Sequence, residues 1–266
     1  MGPSRVHVLL GIVVLVLCTF AAFKFRPCIE KFVFRPKRAM IIVEPRPHPL
    51  LGPVLKNFHA RIPLEWDLYV FHGTSHAAYA HKSADGIAST RRVFFKDLGT
   101  DNLTADQYNA LFKKAAFWDR VDADDILVFQ TDAVTCSKSQ WNIDSFTHLD
   151  YVGCAYDHQI GPGVHWGKDH SFYGSGGLSF RKKKFTMDCI AANPSIDPNA
   201  PEDVFFSDCV ATSPHKPKDA STLGKFCTQN TFMEPSFGAH QIDKQLAPHH
   251  RTMFLDHCPE ASMLFE

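Results

Sequence analysis

Asp132 ends an apolar stretch of the sequence, where a carboxylate can take part in binding a ligand. The stretch Asp125-Ile-Leu-Val-Phe-Gln-Thr-Asp132 predicts a buried strand that finishes in a charged residue. Ligands of open α/β sheets bind beyond the carboxyl ends of the strands. A carboxylate at that place can hold a divalent cation, which neutralises a bound diphosphate. The competing interpretation is that Asp132 only caps the turn before Val134.

Two adjacent carboxylates, Glu202 and Asp203, follow Pro201 at the predicted start of a helix. Either can act as a general base, although capping the helix is the more common role of an acidic residue there. His240 follows the flexible Gly238 and can ligate a metal or contact a phosphate. A lone histidine is more often a surface or packed residue.

Paired glycines, Gly176 and Gly177, precede a short apolar run. Because they lack side chains, a substrate or another part of the backbone can approach them closely. They end a glycine-rich stretch, residues 156–177, which predicts one long loop of the kind that forms active sites.

The elements that must position these residues alternate between strands and helices. Alternation of this kind predicts an α/β fold, with a mostly parallel sheet flanked by helices in a single domain. Thr104 is the predicted N-cap of the third helix. The predicted strands are residues 39–43, 67–72, 91–96, 125–130, 151–155 and 178–180, and the predicted helices are residues 50–59, 77–83, 105–118, 182–192 and 201–210.

Composition excludes one broad class of partner. Lys+Arg and Asp+Glu are balanced at 28 each in 266 residues. Nucleic-acid binding is therefore not expected, since it needs a basic surface for the phosphates.

The amino terminus carries a candidate membrane anchor. Residues 6–23 are apolar and lie between Arg5 and Lys24, which predicts a transmembrane signal-anchor helix. A cleaved signal peptide is the alternative, because Thr19 and Ala21 are small residues before a possible cut. The predicted organisation is a tail at 1–5, the anchor at 6–23, a stem at 24–38, a catalytic domain at 39–258 and a tail at 259–266.

Orientation and redox state are open at this point. Basic residues after the span favour a cytosolic domain, whereas Asn102-Leu103-Thr104 is an acceptor for N-glycosylation in a lumenal one. The cysteines outside the span can pair or stay reduced, and the apolar surroundings of Cys154 and Cys189 predict buried thiols. No catalytic cysteine is predicted.

The order of several short motifs resembles the glycosyltransferases of the GT-A type, and more closely a glycosyltransferase-like domain family of unknown function. The resemblance covers residues 39–241. The motifs are Ile-Val-Glu-Pro-Arg-Pro-His at 42–48, Phe-His-Gly at 71–73, Leu-Gly-Thr-Asp-Asn-Leu-Thr at 98–104, Tyr-Asn-Ala-Leu at 108–111, Phe-Gln-Thr-Asp at 129–132, Tyr-Val-Gly at 151–153, Gly-Gly-Leu-Ser-Phe-Arg at 176–181, Glu-Asp-Val-Phe-Phe at 202–206 and Phe-Gly-Ala-His at 237–240.

This resemblance implies a GT-A-like, Rossmann-like fold with a nucleotide-sugar site. It implies that Glu44 and Arg46 lie beside the nucleotide. Gln130-Thr131-Asp132 stands where the family has its DxD metal motif, so the first acidic position is lost. Asp132 and His240, with the donor diphosphate, are then the expected ligands of Mn²⁺ or Mg²⁺.

The resemblance also implies roles around the transferred sugar. It puts Gly176 and Gly177 near that sugar and makes Glu202 or Asp203 the base for the acceptor hydroxyl, with Asp203 preferred. The acceptor would be a glycan, a protein or a lipid. The expected protein is a single-pass membrane protein of the Golgi or endoplasmic reticulum with a lumenal catalytic domain.

Two other functions are consistent with the same residues. A catalytically inactive nucleotide- or glycan-binding protein of this fold would explain the incomplete metal motif. A metal-dependent hydrolase would use Asp132 and His240 with further histidines, although these lack a recognisable ligand spacing. The histidines concerned are His165, His170, His249, His250 and His257.

Overall fold

The structure is a computed structural model that describes residues 36–155, 161–162, 171–193, 200–232 and 234–265. The predicted anchor at 6–23 lies outside the described residues and stays a prediction. Within the described ranges, no helix is both long enough and apolar enough to cross a membrane.

Eleven strands and nine α-helices form the described part of the chain. The strands are β1 (Arg38–Glu44), β2 (Trp66–His72), β3 (Val93–Asp97), β4 (Asp125–Phe129), β5 (Ala133–Thr135), β6 (Tyr151–Cys154), β7 (Gly161–Pro162), β8 (Ser171–Phe172), β9 (Ser175–Lys182), β10 (Cys227–Thr228) and β11 (Gly238–His240). The helices are α1 (Leu51–Arg61), α2 (Ala77–Ser83), α3 (Ala105–Phe112), α4 (Ala115–Trp118), α5 (Lys183–Ala192), α6 (Glu202–Val210), α7 (Ala220–Phe226), α8 (Ile242–Gln245) and α9 (Pro248–His257). Short 3-10 helices cover Thr74–His76, Ile143–Phe146 and Pro259–Leu264.

The central sheet has six strands in the order β3-β2-β1-β4-β9-β6. β1 pairs in parallel with β2 and β4, and β2 pairs in parallel with β3. β9 is antiparallel to both of its neighbours, β4 and β6. Five strands therefore share one direction and β9 alone opposes them, so the prediction of a mostly parallel sheet is confirmed.

Both faces of this sheet are covered, as the buried strands require. In β1, Met40 and Ile42 join the core on the side of α1, whereas Ala39 and Ile41 join a second core that includes α4 and α6 residues. Successive residues of a strand point to opposite faces, so one continuous apolar run supplies both cores.

Several helices and loops that the sequence predicts are divided or bounded differently in the structure. The helix predicted at 105–118 is two helices, with a break at Lys113 and Lys114. Thr104 is the N-cap of α3 as predicted, and it forms a capping box with Gln107. The stretch predicted as one loop at 156–177 contains β7 and β8, which pair with each other, and the first residues of β9.

A second sheet, in the order β10-β11-β5, has strands of only two or three residues. The sequence patterns did not predict it, because runs this short carry no measurable periodicity. The carboxyl-terminal stretch expected as a tail contains the 3-10 helix Pro259–Leu264, whose Ala261 and Leu264 are buried in a third core with Val134 and Phe254.

Three disulfides correct the expectation of free buried thiols. Cys154 pairs with Cys227, Cys189 pairs with Cys209, and Cys136 pairs with Cys258. Cys154 and Cys189 do lie in apolar surroundings, but such surroundings suit a disulfide as well as a thiol. The partners come from β10 and α6, and the packing of those elements against β6 and α5 is not visible in the sequence.

Candidate functional site

One cavity of about 830 Å³ opens at the carboxyl edge of the parallel strands. The residues after β1 and β4 line it, and so do the first residues of β9, because that strand runs in the opposite direction. The start of α6 closes another side. The eight residues expected in a nucleotide-sugar site all line this cavity: Glu44, Arg46, Asp132, Gly176, Gly177, Glu202, Asp203 and His240.

Asp132 and His240 are brought together by the small sheet. Ala133 of β5 lies directly across from His240 of β11, so the residue before Ala133 lies beside the imidazole. His240 Nε2 is 3.3 Å from Asp132 Oδ1 and 3.1 Å from Gln130 Oε1. Lys244 Nζ is 3.5 Å from Asp132 Oδ2.

The charge state of Asp132 follows from these neighbours. Burial alone would raise the pKa of this carboxyl, but the hydrogen bond and charge of His240 and the charge of Lys244 outweigh it and hold the pKa at about 2. Asp132 is therefore an anion over the whole physiological pH range.

Asp132 and His240 fit a divalent cation. Asp132 Oδ1 is buried, and apart from the contact with His240 Nε2 it has no hydrogen-bond partner among the described residues. The 3.3 Å between this oxygen and His240 Nε2 is close to the separation of two ligands that each lie ~2.1 Å from one ion. Within the described ranges no group of three or more His, Cys, Asp or Glu side chains is arranged for a metal. A cation here would take its remaining ligands from the bound molecule or from water.

Glu202 is held by a buried arginine that the sequence analysis did not single out. Arg181, on β9, has no exposed surface and donates to both carboxylate oxygens of Glu202 at 2.7 and 2.9 Å. Four aromatic rings surround the guanidinium at 5.0 to 5.7 Å, namely Phe112, Trp118, Tyr151 and Phe206. The carboxylate of Glu202 is thus fully engaged, which leaves Asp203 as the acidic residue of this pair that is available to a ligand.

Asp203 lies at the second position of α6 and lines the cavity. Burial and the neighbouring negative charge of Glu202 raise its pKa from 3.8 to about 6. Hydrogen bonds from the backbone N–H groups of Val204 and Gly176 oppose this rise without cancelling it. A carboxylate with a pKa near neutrality is suited to accept a proton from a hydroxyl.

The two glycines of β9 are explained by packing against protein side chains. A methyl group at Gly176 would lie 1.7 Å from Glu202 Oε1, and one at Gly177 would lie 2.1 Å from His240 Nε2. The spaces beside them are occupied by the side chains of Glu202 and His240, because adjacent residues of a strand face opposite sides. Both glycines also line the cavity, and their expected proximity to a transferred sugar stays a prediction.

Replacing Gly177 by alanine is expected to displace the imidazole of His240 from Asp132. We expect Mn²⁺ affinity, measured by calorimetry in the presence of a nucleoside diphosphate, to fall about tenfold or more, as when a metal ligand loses its support. Gly52→Ala is the control, because its methyl group would meet no atom closer than 3.6 Å. Equal Mn²⁺ affinity in the two variants would contradict this role of Gly177.

Glu44, the last residue of β1, forms an ion pair with Arg46. The Arg46 guanidinium donates to both oxygens of Glu44 at 2.8 and 2.9 Å, and the backbone N–H of Arg46 adds a third bond at 3.0 Å. The hydrogen bond to Glu44 raises the pKa of Arg46. The two side chains add polar groups to the cavity wall, but as an ion pair they contribute little net charge.

Polar residues with no predicted role also line the cavity. Tyr108 on α3 presents a phenol whose pKa is raised by burial, so it stays an O–H donor. Gln229 follows β10 and accepts a hydrogen bond from Ser175. The Tyr-Asn-Ala-Leu motif was the only sequence signal for Tyr108, and no sequence signal marked Gln229.

The described histidines of the hydrolase hypothesis do not extend the Asp132 and His240 pair. His249, His250 and His257 belong to α9 and are not among the cavity residues. His257 Nε2 contacts the carbonyl oxygen of Ser236, and His250 Nδ1 accepts from the backbone of Phe232. His165 and His170 lie outside the described residues.

Comparisons with known proteins give one family and a set of distantly similar solved structures. The family model described as "Protein of unknown function (DUF5672)" matches residues 92–240. No curated protein matches the sequence. The similar solved structures include the mannosyltransferase PcManGT from Pyrobaculum calidifontis in complex with GDP-Man and Mn²⁺, with 10% identity, 69% of this chain and 54% of that chain covered and a TM-score of 0.47.

A second similar structure is that of S. aureus TarS 1-349. It has 11% identity, 66% of this chain and 55% of that chain covered, and a TM-score of 0.44. The chain therefore spans about half the length of these two structures. Identities and TM-scores this low do not establish a shared activity.

Proposed function

The chain belongs to this family of proteins of unknown function, and we propose that it is a glycosyltransferase, which moves a sugar from a nucleotide-diphosphate donor to an acceptor hydroxyl. The observation that carries the proposal is the composition of the cavity at the carboxyl edge of the sheet. One wall has a carboxylate and an imidazole that fit a cation, and another has a carboxylate whose pKa is near neutrality.

Charge balance in the cavity supports a requirement for a divalent cation. Glu44 is paired with Arg46, and Glu202 is paired with Arg181. Asp132 and Asp203 are the other carboxylates of the described lining, and Lys244, which is outside the lining, lies 3.5 Å from Asp132. No unpaired lysine or arginine belongs to that lining. A diphosphate would be repelled unless a cation came with it. Asp132 and His240 would hold Mn²⁺ or Mg²⁺, which supplies positive charge to the departing nucleotide.

In this proposal Asp203 accepts the proton of the attacking hydroxyl. Its raised pKa allows it to take up a proton while still being ionised near neutral pH. Tyr108 and Gln229 supply neutral hydrogen-bonding groups of the kind that orient a sugar. The acceptor would be a glycan, a protein or a lipid.

A non-catalytic binding protein is the second candidate, and Gln130 is the observation that favours it. Gln130 occupies a place in the cavity where a carboxylate would add another metal ligand, and its amide oxygen instead contacts His240 at 3.1 Å. Such a protein would bind a nucleotide or a glycan without turnover.

We also propose that the domain faces the lumen of the Golgi or endoplasmic reticulum, behind a membrane anchor at residues 6–23. The three disulfides support this orientation, because such bonds persist in oxidising compartments and are rare in the cytosol.

A screen of nucleotide-sugar donors by nucleotide release, with and without Mn²⁺, tests the proposed function. We expect one donor class to be hydrolysed or transferred only with the cation, and Asp132→Asn to release no more nucleotide than wild type without cation. Cation-dependent binding of a nucleotide sugar, with no release for any donor and acceptor, would favour the binding protein instead.

A further inference from the structure

Asn102 is a residue that the sequence singled out and that the proposed reaction does not use. Asn102-Leu103-Thr104 has the form required of an N-glycosylation acceptor. The chain has one other asparagine with serine or threonine two residues later, Asn193, and the intervening Pro194 excludes it. A single position is therefore open to this modification.

The structure places this position on the surface. Asn102 is exposed, and it lies in the irregular connection between β3 and α3. The connection has a defined shape, because Thr100 Oγ1 donates to the carbonyl oxygen of Asn102 at 2.9 Å and the Thr104 hydroxyl caps α3. An exposed, irregular segment is accessible to a modifying enzyme.

The disulfides provide the second, independent observation. Cys136–Cys258, Cys154–Cys227 and Cys189–Cys209 all belong to the same compact unit as Asn102. Disulfides of this kind form in the endoplasmic reticulum, where N-linked glycans are also attached. The two observations therefore agree on one compartment.

We propose that Asn102 carries an N-linked glycan. The proposal rests on the lumenal orientation and not on the assigned reaction. Leu103 and Thr104, the next two residues, line the cavity, so the glycan begins one residue away from the cavity wall. It would border the entrance on the side of α3 and restrict the approach of bulky acceptors from that direction.

The test uses the full chain, expressed in a eukaryotic cell, with an added Asn-Gly-Thr reporter at its carboxyl terminus. This protein is expected to carry two glycans, one on Asn102 and one on the reporter, so peptide N-glycosidase F should lower its apparent mass on a gel by two glycans. For Asn102→Gln the decrease should correspond to one glycan. For Thr104→Ser it should still correspond to two, because serine preserves the acceptor sequence and the capping hydroxyl. Mass spectrometry is expected to find Asn102 converted to aspartate by the enzyme.

Two results would overturn the proposal. Glycosylation of the reporter alone would mean that the domain is lumenal and Asn102 is not modified. Absence of any glycan, on the reporter or on Asn102, would mean that the domain does not enter the lumen. Neither result bears on whether the cavity transfers a sugar, since that is measured separately by nucleotide release.

Discussion

Asp203→Asn is expected to lower the rate of sugar transfer by about 100- to 10,000-fold, the contribution typical of a general base. The amide has nearly the same shape as the carboxylate but cannot accept the proton of the acceptor hydroxyl. Donor binding should change little, because the proposed cation ligands are Asp132 and His240 and not Asp203. The measurement is kcat for transfer to a saturating acceptor, with the donor KM determined in parallel.

The pH profile provides a second readout for Asp203. Its pKa of about 6 in the folded protein predicts that the wild-type rate rises with pH through about 6, as the base loses its proton. The stability effect has the opposite sign. Between 3.8 and about 6 the folded state holds a proton that the unfolded state has lost, so the free energy of unfolding falls as pH rises through this window. Asp203→Asn should lack both dependences.

Asp188→Asn is the control for this prediction. Asp188 is an exposed carboxylate on α5, paired with Lys184 at the surface. Its replacement should leave the rate and the pH profile unchanged. A rate for Asp203→Asn within a fewfold of wild type would exclude Asp203 as the base.

Arg181→Met is expected to lower the free energy of unfolding by about 3–5 kcal/mol, the cost of leaving one partner of a buried ion pair unpaired. Glu202 would then stay buried without its counter-charge. Because Glu202 is the first residue of α6, it would pull the start of that helix toward solvent. The measurement is urea-induced unfolding with the disulfides intact, fitted as a two-state transition.

The double variant Arg181→Met/Glu202→Leu separates the loss of a partner from the loss of the pair. Replacing both members of a buried ion pair by apolar residues is often nearly neutral, so most of the lost stability should return. Lys184→Met is the matched surface control. The Lys184–Asp188 pair has side chains 86% and 63% exposed, and its loss should have little effect on stability. If Arg181→Met changed the free energy of unfolding only slightly, Glu202 would not be a buried carboxylate that depends on Arg181.

The central architecture was predictable because its signals are local. Each of β1, β2 and β4 is an unbroken buried run, and such runs between helical segments specify parallel pairing. The direction of β9 was not predictable, since its run of Gly-Gly-Leu-Ser-Phe reads the same whichever way the strand lies. The small sheet and the disulfides depend on contacts between residues as far apart as Cys136 and Cys258, which no local pattern encodes.

The candidate site was also predictable only in part. Asp132 could be found because it ends a strand, and ligands bind at strand ends. Its proximity to His240 depends on the pairing of β5 with β11, and only the resemblance suggested it. Arg181 was missed because an arginine after an apolar run is ordinarily a surface residue. Nothing in the sequence showed that aromatic side chains from three helices and β6 would enclose it.

The glycines of β9 make the two sides of the cavity dependent on a single strand register. Gly176 accommodates Glu202, and Gly177 accommodates His240. A slip of β9 by one residue would bring Ser175 or Leu178 into one of these gaps and leave a glycine at the other. Depending on its direction, the slip would displace either Glu202 or His240, so both walls of the cavity depend on the alignment of this one strand.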